Sequence, residues 1–162
     1  MKYTITRGDK LKKFKTFAFS ILIPVIAGGI IGFIISKFID YNSLQKPALA
    51  PPSGLFPVVW TILYVLMGVS FGILATNGKD DGEAKLIYYA QLIVNLIWPI
   101  FFFVLKWRFI SLIWIALLAV LVIIMTIKFY QRNKLAGLLQ IPYILWTLFA
   151  TYLNWGVYTL NG

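Results

Sequence analysis

Neither cysteine nor histidine occurs among the 162 residues. Their absence excludes disulfides, thiolate nucleophiles, the usual zinc sites and imidazole-ligated haem. Acids are scarce too: Asp9, Asp40, Asp80, Asp81 and Glu83 are the only five, and all lie outside the apolar runs. Hydrolytic or acid–base chemistry within those runs therefore has no carboxylate, imidazole or thiol to carry it. The expectation is no conventional catalytic residue, no metal site and no required cofactor. Charged residues make up 12% of the chain, half of the roughly 25% usual in a soluble domain.

What the chain has in excess is apolar and aromatic surface. It is 60% hydrophobic and 17% aromatic, with a mean hydropathy of +0.85. Charge gathered into short clusters leaves apolar runs too long for a water-facing fold, so the reading is an integral membrane protein. The net charge of +10 does not imply nucleic acid as a partner. The basic residues flank the apolar runs and set orientation against a lipid bilayer.

Taken in order, residues 1–15 form a basic N-terminus. The apolar run that follows is too long for a signal-peptide core and has no small-residue cleavage site after it. Five membrane-spanning helices are expected, at about 16–38, 55–76, 86–105, 109–130 and 137–160. Each is long enough, at about 1.5 Å per residue, to cross a hydrocarbon core of about 30 Å. The fold class is therefore an all-α, five-transmembrane-helix bundle forming a single domain over 1–162. Pro24 should free the Ser20 carbonyl and bend the first helix. Gly28 with Gly32, and Gly68 with Gly72, have the small-xxx-small spacing of close helix packing. Lys and Arg number six, two and three in the N-terminus, second loop and fourth loop, against two, two and none in the first loop, third loop and C-terminus. That asymmetry predicts a cytoplasmic N-terminus and an external C-terminus.

The chain is organised around residues 44–67. Pro47, Pro51 and Pro52 remove three backbone donors and hold their predecessors extended, making 39–54 a stiff loop. Ser53 is the expected N-cap of the second helix, with Pro57 in its first turn. That helix presents Phe56, Trp60, Tyr64 and Met67 on one face. The third presents Gln91, Asn95 and Trp98, where Pro99 withholds the N–H that would bond to the Asn95 carbonyl. The fifth presents Trp146, Ala150, Leu153 and Asn154. If these faces converge they form an aromatic cavity with a few uncharged hydrogen-bonding groups, capped by Lys46, Pro47, Pro51 and Pro52. Such a cavity suits a flat, largely apolar ligand. Gln91 and Asn95 have a second reading as interhelical hydrogen-bonding glue. Trp107 and Trp155 read as interfacial anchors.

Three ordered blocks resemble the translocator protein family, also called the tryptophan-rich sensory proteins or peripheral benzodiazepine receptors. They are Ser43–Pro47 with Pro51-Pro52 and Val59–Tyr64; Gln91–Pro99 followed by Phe101–Phe103; and Pro142–Asn154. The resemblance implies a homodimer in a bacterial plasma membrane, with one cavity per subunit opening toward the first loop. It implies porphyrins such as protoporphyrin IX and haem as ligands, and synthetic benzodiazepine-site compounds besides. On the matching positions Trp60, Asn95, Trp98, Trp146, Ala150 and Leu153 would line the cavity. In some bacterial members the tryptophans matching Trp60 and Trp146 are tied to light- and oxygen-dependent porphyrin breakdown. The sterol motif of eukaryotic members is not matched, since Trp155 and Thr159 stand where it needs a Tyr and a basic residue.

Three functions follow, in order. The first is a receptor or sensor for porphyrin-like ligands, modulating tetrapyrrole metabolism or a stress response. The second is a photo-oxidative porphyrin-degrading enzyme using Trp60 and Trp146. The third is a transporter, for which the helix centres offer no ionisable residue.

Overall fold

The computed structural model describes residues 7–161. Residues 1–6, with Lys2, and Gly162 lie outside the described residues. Among these are five spans long and apolar enough to cross a bilayer: Arg7–Phe38, Leu55–Thr76, Gly82–Val104, Arg108–Arg132 and Lys134–Asn161. The protein is an all-α integral membrane bundle.

Helix α1 (Arg7–Ile35) begins well before residue 16, because its basic first turns are made of good helix formers such as Lys and Leu. It runs through Pro24 unbroken. Helix α2 (Leu55–Thr76) starts without a side-chain cap. Ser53 does not cap it through its hydroxyl. Instead the Pro52 and Ser53 carbonyls accept from the Leu55 and Phe56 N–H groups, so the proline turn supplies the first bonds. At its other end Gly78 adopts φ +65°. The Lys79 N–H then reaches the Leu74 carbonyl and the Gly78 N–H the Ala75 carbonyl, a Schellman closure.

Helix α3 (Gly82–Pro99) starts four residues earlier than the apolar pattern, because the Asp81 carboxylate accepts from the Ala84 N–H at 2.9 Å. Beyond Pro99 the chain widens into one π-helical turn, Ile100–Val104, closed by the Leu105 N–H on the Ile100 carbonyl. Lys106 at φ 55° then turns the chain into α4 (Arg108–Arg132). The last span is not one helix. The short α5 (Lys134–Leu138) is capped by Asn133, and α6 (Ile141–Asn161) begins just before Pro142. Proline has no N–H for the Leu138 carbonyl, so the break falls one turn ahead of it.

α1 packs along α2, α3 along α4 and α4 along α6, while α5 wedges between α2 and α4. α1 meets α3 only along a thin seam. α1 and α2 approach each other closely. A Cβ on Gly68 would fall 2.5 Å from Ile21 Cα and 2.6 Å from the Ser20 carbonyl oxygen. That carbonyl is the one Pro24 leaves without its helical partner. The lower core is filled by Met67, Leu74, Ile115, Leu118, Val122, Met125 and Phe129, with Phe71 stacked on Tyr88 at 4.2 Å.

Ion pairs tie both ends. At the basic end Arg132 pairs with Asp81 and Glu83 at 2.8 Å, and Lys128 with Glu83 at 2.7 Å. At the other end Asp40 pairs with Arg108 at 2.9 Å and Lys106 at 3.2 Å.

Candidate functional site

A hollow of about 530 Å³ opens between α1, α2 and α3, toward the end of the bundle that carries the first loop. Its aromatic wall is Phe56, Trp60 and Tyr64 from α2, with Trp98 and Phe103 from α3 and the π turn. Tyr41 closes the top. Its hydroxyl donates to the Pro51 carbonyl at 3.0 Å, and burial pushes its pKa upward, which keeps it a donor. The opposite wall is α1, contributing Val25, Gly28, Gly29, Gly32 and Ile35. The glycines differ in kind. A Cβ on Gly28 would strike the Tyr64 ring at 2.1 Å, whereas one on Gly29 or Gly32 meets nothing within 4 Å. Gly28 seats a ring; the other two leave the space empty.

Two polar groups at the hollow, Tyr64 and Asn95, belong to one hydrogen-bond chain. Tyr64 donates to Asn95 Oδ1 at 2.6 Å, Asn95 Nδ2 donates to the Tyr143 hydroxyl at 2.6 Å, and Tyr143 donates to Gln91 Oε1 at 2.8 Å. Gln91 Nε2 ends the chain on the Tyr88 carbonyl. This network links α2, α3 and α6 through uncharged groups, as a bilayer interior requires. Asn95 both lines the hollow and belongs to the network. Gln91, fully buried, belongs to the network alone. Pro99 also lines the hollow.

The three faces expected to converge do meet, but they do not enclose one space. Trp60 lies 6.1 Å from Trp98, 6.5 Å from Trp146 and 6.3 Å from Tyr143, between ring centroids. Phe56 lies 5.9 Å from Trp146. These rings fill the gap in front of α6. Behind them remains a void of only about 20 Å³, lined by Ala150, Leu153, Asn154 and Val157. Tyr41, Phe56, Trp60, Trp98 and Phe103 border both spaces, so the partition is one ring thick. Ala150 and Leu153 thus face the small void, and Trp146 backs the partition without reaching either space.

The proline loop is also placed differently from a lid lying over the hollow. Pro47 packs on Gly156 of α6, where a Cβ would fall 2.6 Å from its ring. The Gln45 N–H donates to Asn161 Oδ1 at 2.9 Å, and Asn161 Nδ2 donates back to the Gln45 carbonyl at 2.8 Å. Lys46 donates to the Tyr41 carbonyl at 3.2 Å, with its ammonium 4.9 Å from that ring's centroid. Lys46, Pro47, Pro51 and Pro52 do not touch the hollow. The loop contributes Ile39, Tyr41 and Ser53 instead, with Ser36 from the end of the first span. Behind the hollow, Asn154 Oδ1 accepts from Trp98 Nε1 at 3.1 Å and from the Ser111 hydroxyl at 2.7 Å, which fixes the Trp98 ring.

Residue reasoning missed the α1 wall and Tyr143. α1 carries no aromatic or amide accent on that face, and its glycines read only as a packing stripe. Tyr143 sits beside Pro142 inside a recognised block, and its burial was the missing information.

The sequence has relatives among known proteins. The chain is 36% identical over 145 residues to the tryptophan-rich protein TspO of Archaeoglobus fulgidus, across 87% of this chain and 94% of that one. It is 36% identical over 124 residues to the tryptophan-rich protein TspO of Chlorobaculum tepidum, across 75% and 78%. It is 32% identical over 139 residues to the human translocator protein, across 80% and 82%. The TspO/MBR family model matches residues 20–160, from the Ser20–Gly68 helix contact through the last turn of α6. With five spans, the aromatic partition and that match together, the chain belongs to the TspO/MBR family.

Proposed function

We propose that the hollow between α1, α2 and α3 is a receptor site for a flat, largely apolar ligand of the porphyrin class, protoporphyrin IX or haem. Synthetic benzodiazepine-site compounds compete for it. The carrying observation is the pairing of a five-ring aromatic wall with an open glycine wall around about 530 Å³, within the roughly 300–1,000 Å³ of small-molecule sites. Rings on one side supply stacking, and Gly29 and Gly32 let a plane lie close on the other. Without histidine or cysteine, recognition is of the macrocycle and not of its iron, so no resident cofactor is needed. The basic end of the bundle faces the cytoplasm, which puts the mouth of the hollow on the outer side. The working unit in this reading is a homodimer acting as a sensor, and a Cereibacter sphaeroides relative carries the name tryptophan-rich sensory protein.

A second reading has one observation in its favour. Trp60, Trp98 and Trp146 lie ring to ring at 6.1 and 6.5 Å, so an excited porphyrin in the hollow would sit against a connected set of oxidisable indoles. Illuminated and dark incubations with protoporphyrin IX separate the two. Saturable, light-dependent loss of porphyrin with intact tryptophans supports degradation. Binding without turnover supports the receptor. Titration of the wild type and Trp60→Leu with protoporphyrin IX, followed by tryptophan quenching, tests the site itself. Equal affinities would overturn it.

A further inference from the structure

The basic end of the bundle holds a second groove, about 580 Å³, along the seam where α1 and the start of α3 barely touch. Gly8, Leu11, Lys12, Lys15, Thr16, Phe19 and Ile23 recur at three- and four-residue spacing, so one face of α1 forms one wall. That face is amphiphilic along its length. Lys12 and Lys15 stand at its outer end, and the inner end is Phe19 and Ile23 facing Phe71 and Tyr88. From Lys12 to Ile23 is about 16 Å of helix.

Two features make this more than a basic helix end. Lys12 and Lys15 form no ion pair with any described residue, while Lys85, on the α3 side, is held by Asp80 at 3.1 Å. Lys10 and Lys13, on the same turns of α1, do not border the groove.

We propose that this groove is a binding site for one anionic glycerophospholipid. Its phosphate lies between Lys12 and Lys15, and an acyl chain runs inward past Phe19 and Ile23. Charge complementarity selects the headgroup, and the apolar inner end selects a lipid over a soluble anion. The site stands apart from the aromatic hollow and does not depend on what that hollow binds.

The test uses purified full-length protein in neutral detergent, examined by native mass spectrometry after addition of phosphatidylglycerol or phosphatidylcholine. Wild type and K10Q/K13Q should each retain one phosphatidylglycerol, and K12Q/K15Q should lose it by about tenfold or more. Both double variants remove two charges from the same exposed helix, so general electrostatics and topology are matched. Equal loss in the two variants overturns the proposal. So does equal retention of phosphatidylcholine, or displacement of the lipid by millimolar inorganic phosphate, which marks a simple anion site. Circular dichroism of both variants checks that the bundle is intact; if K12Q/K15Q is not folded, K12Q alone is read on the same scale.

Discussion

The Tyr64 hydroxyl and the Asn95 side-chain oxygen lie 2.6 Å apart, so these two polar groups at the aromatic hollow are already engaged with each other. The Ser36, Tyr41 and Thr61 hydroxyls that also line it donate to nearby backbone carbonyls, so a ligand meets few free donors there. Affinity must then come mainly from ring faces and excluded lipid or water.

Tyr64→Phe should therefore cost stability more than it costs ligand. It removes one interhelical hydrogen bond, worth on average about 0.6 and at most about 1.7 kcal/mol in a bilayer. Asn95→Leu should cost more, because it leaves the Tyr64 hydroxyl without its acceptor and also removes the donor that Tyr143 accepts from, while Tyr143 keeps its own bond to Gln91. Thermal unfolding in a fixed detergent checks the order. A larger loss for Tyr64→Phe than for Asn95→Leu would contradict the network.

Two glycine substitutions should have opposite effects on folding. Gly68→Ala drives a methyl into the α1 backbone at Ser20 and Ile21, an overpacking cost of about 1–3 kcal/mol. Gly29→Leu places its side chain in open space and replaces a poor helix former, a gain of about 0.5–1 kcal/mol before any packing. Melting temperatures should fall for the first and hold or rise for the second.

The tryptophans should not be equivalent. Trp60 borders the large hollow and Trp146 only backs the partition. Trp60→Leu should weaken protoporphyrin IX binding by about tenfold or more, and Trp146→Leu by no more than about threefold. Equal losses would mean that the ligand occupies the α6 side, with Trp60 swung out of the way.

Loop anchorage should appear in rates. Asp40 ties the loop to Arg108 and Lys106, and Gln45 ties it to Asn161. Asp40→Asn keeps the size of the side chain and weakens the first tie. Stopped-flow quenching should show association and dissociation both faster, with Kd little changed, since Asp40 does not line the hollow. Unchanged rates would show that this tie does not set how fast Tyr41 and Ser53, loop residues at the hollow, move aside.

The basic end should be acid-sensitive. The Ala84 N–H and then the Arg132 guanidinium hold the Asp81 carboxyl below its ordinary value of 3.8. A depressed folded pKa contributes stability that is present above the unfolded value and lost as pH falls through the folded one. Asp81→Asn should flatten the stability profile below about pH 4. An unchanged slope would show that the capping carboxylate does not contribute to that dependence.

Much of the bundle could be read from residue types, because each boundary had a chemical cause on one short segment. Asn77-Gly78 closes α2 as its turn residues predict, whereas the Asp81 cap that starts α3 early and the break ahead of Pro142 in the last span show only in the structure. The site was only half legible. Trp60, Tyr64, Asn95 and Trp98 stand out because aromatic and amide groups are rare punctuation in an apolar helix. Gly28, Gly29 and Gly32 carry the same side chain but meet different surroundings, and only the approach of the Tyr64 ring separates a packed glycine from an open one. Whether Trp60 turns toward α1 or α6 is likewise a matter of packing, which no spacing encodes. The proline stretch was visibly stiff, but its seat on Gly156 depended on a residue more than a hundred positions away.

The central claim is that the ligand lies against the glycine wall of α1. Protoporphyrin IX titration of the wild type and Gly29→Leu, followed by tryptophan quenching, tests it most directly. Saturation is expected at one ligand per wild-type chain, with at least about tenfold weaker binding in Gly29→Leu and an undiminished melting temperature. Binding of equal strength in a well-folded Gly29→Leu protein would place the ligand elsewhere.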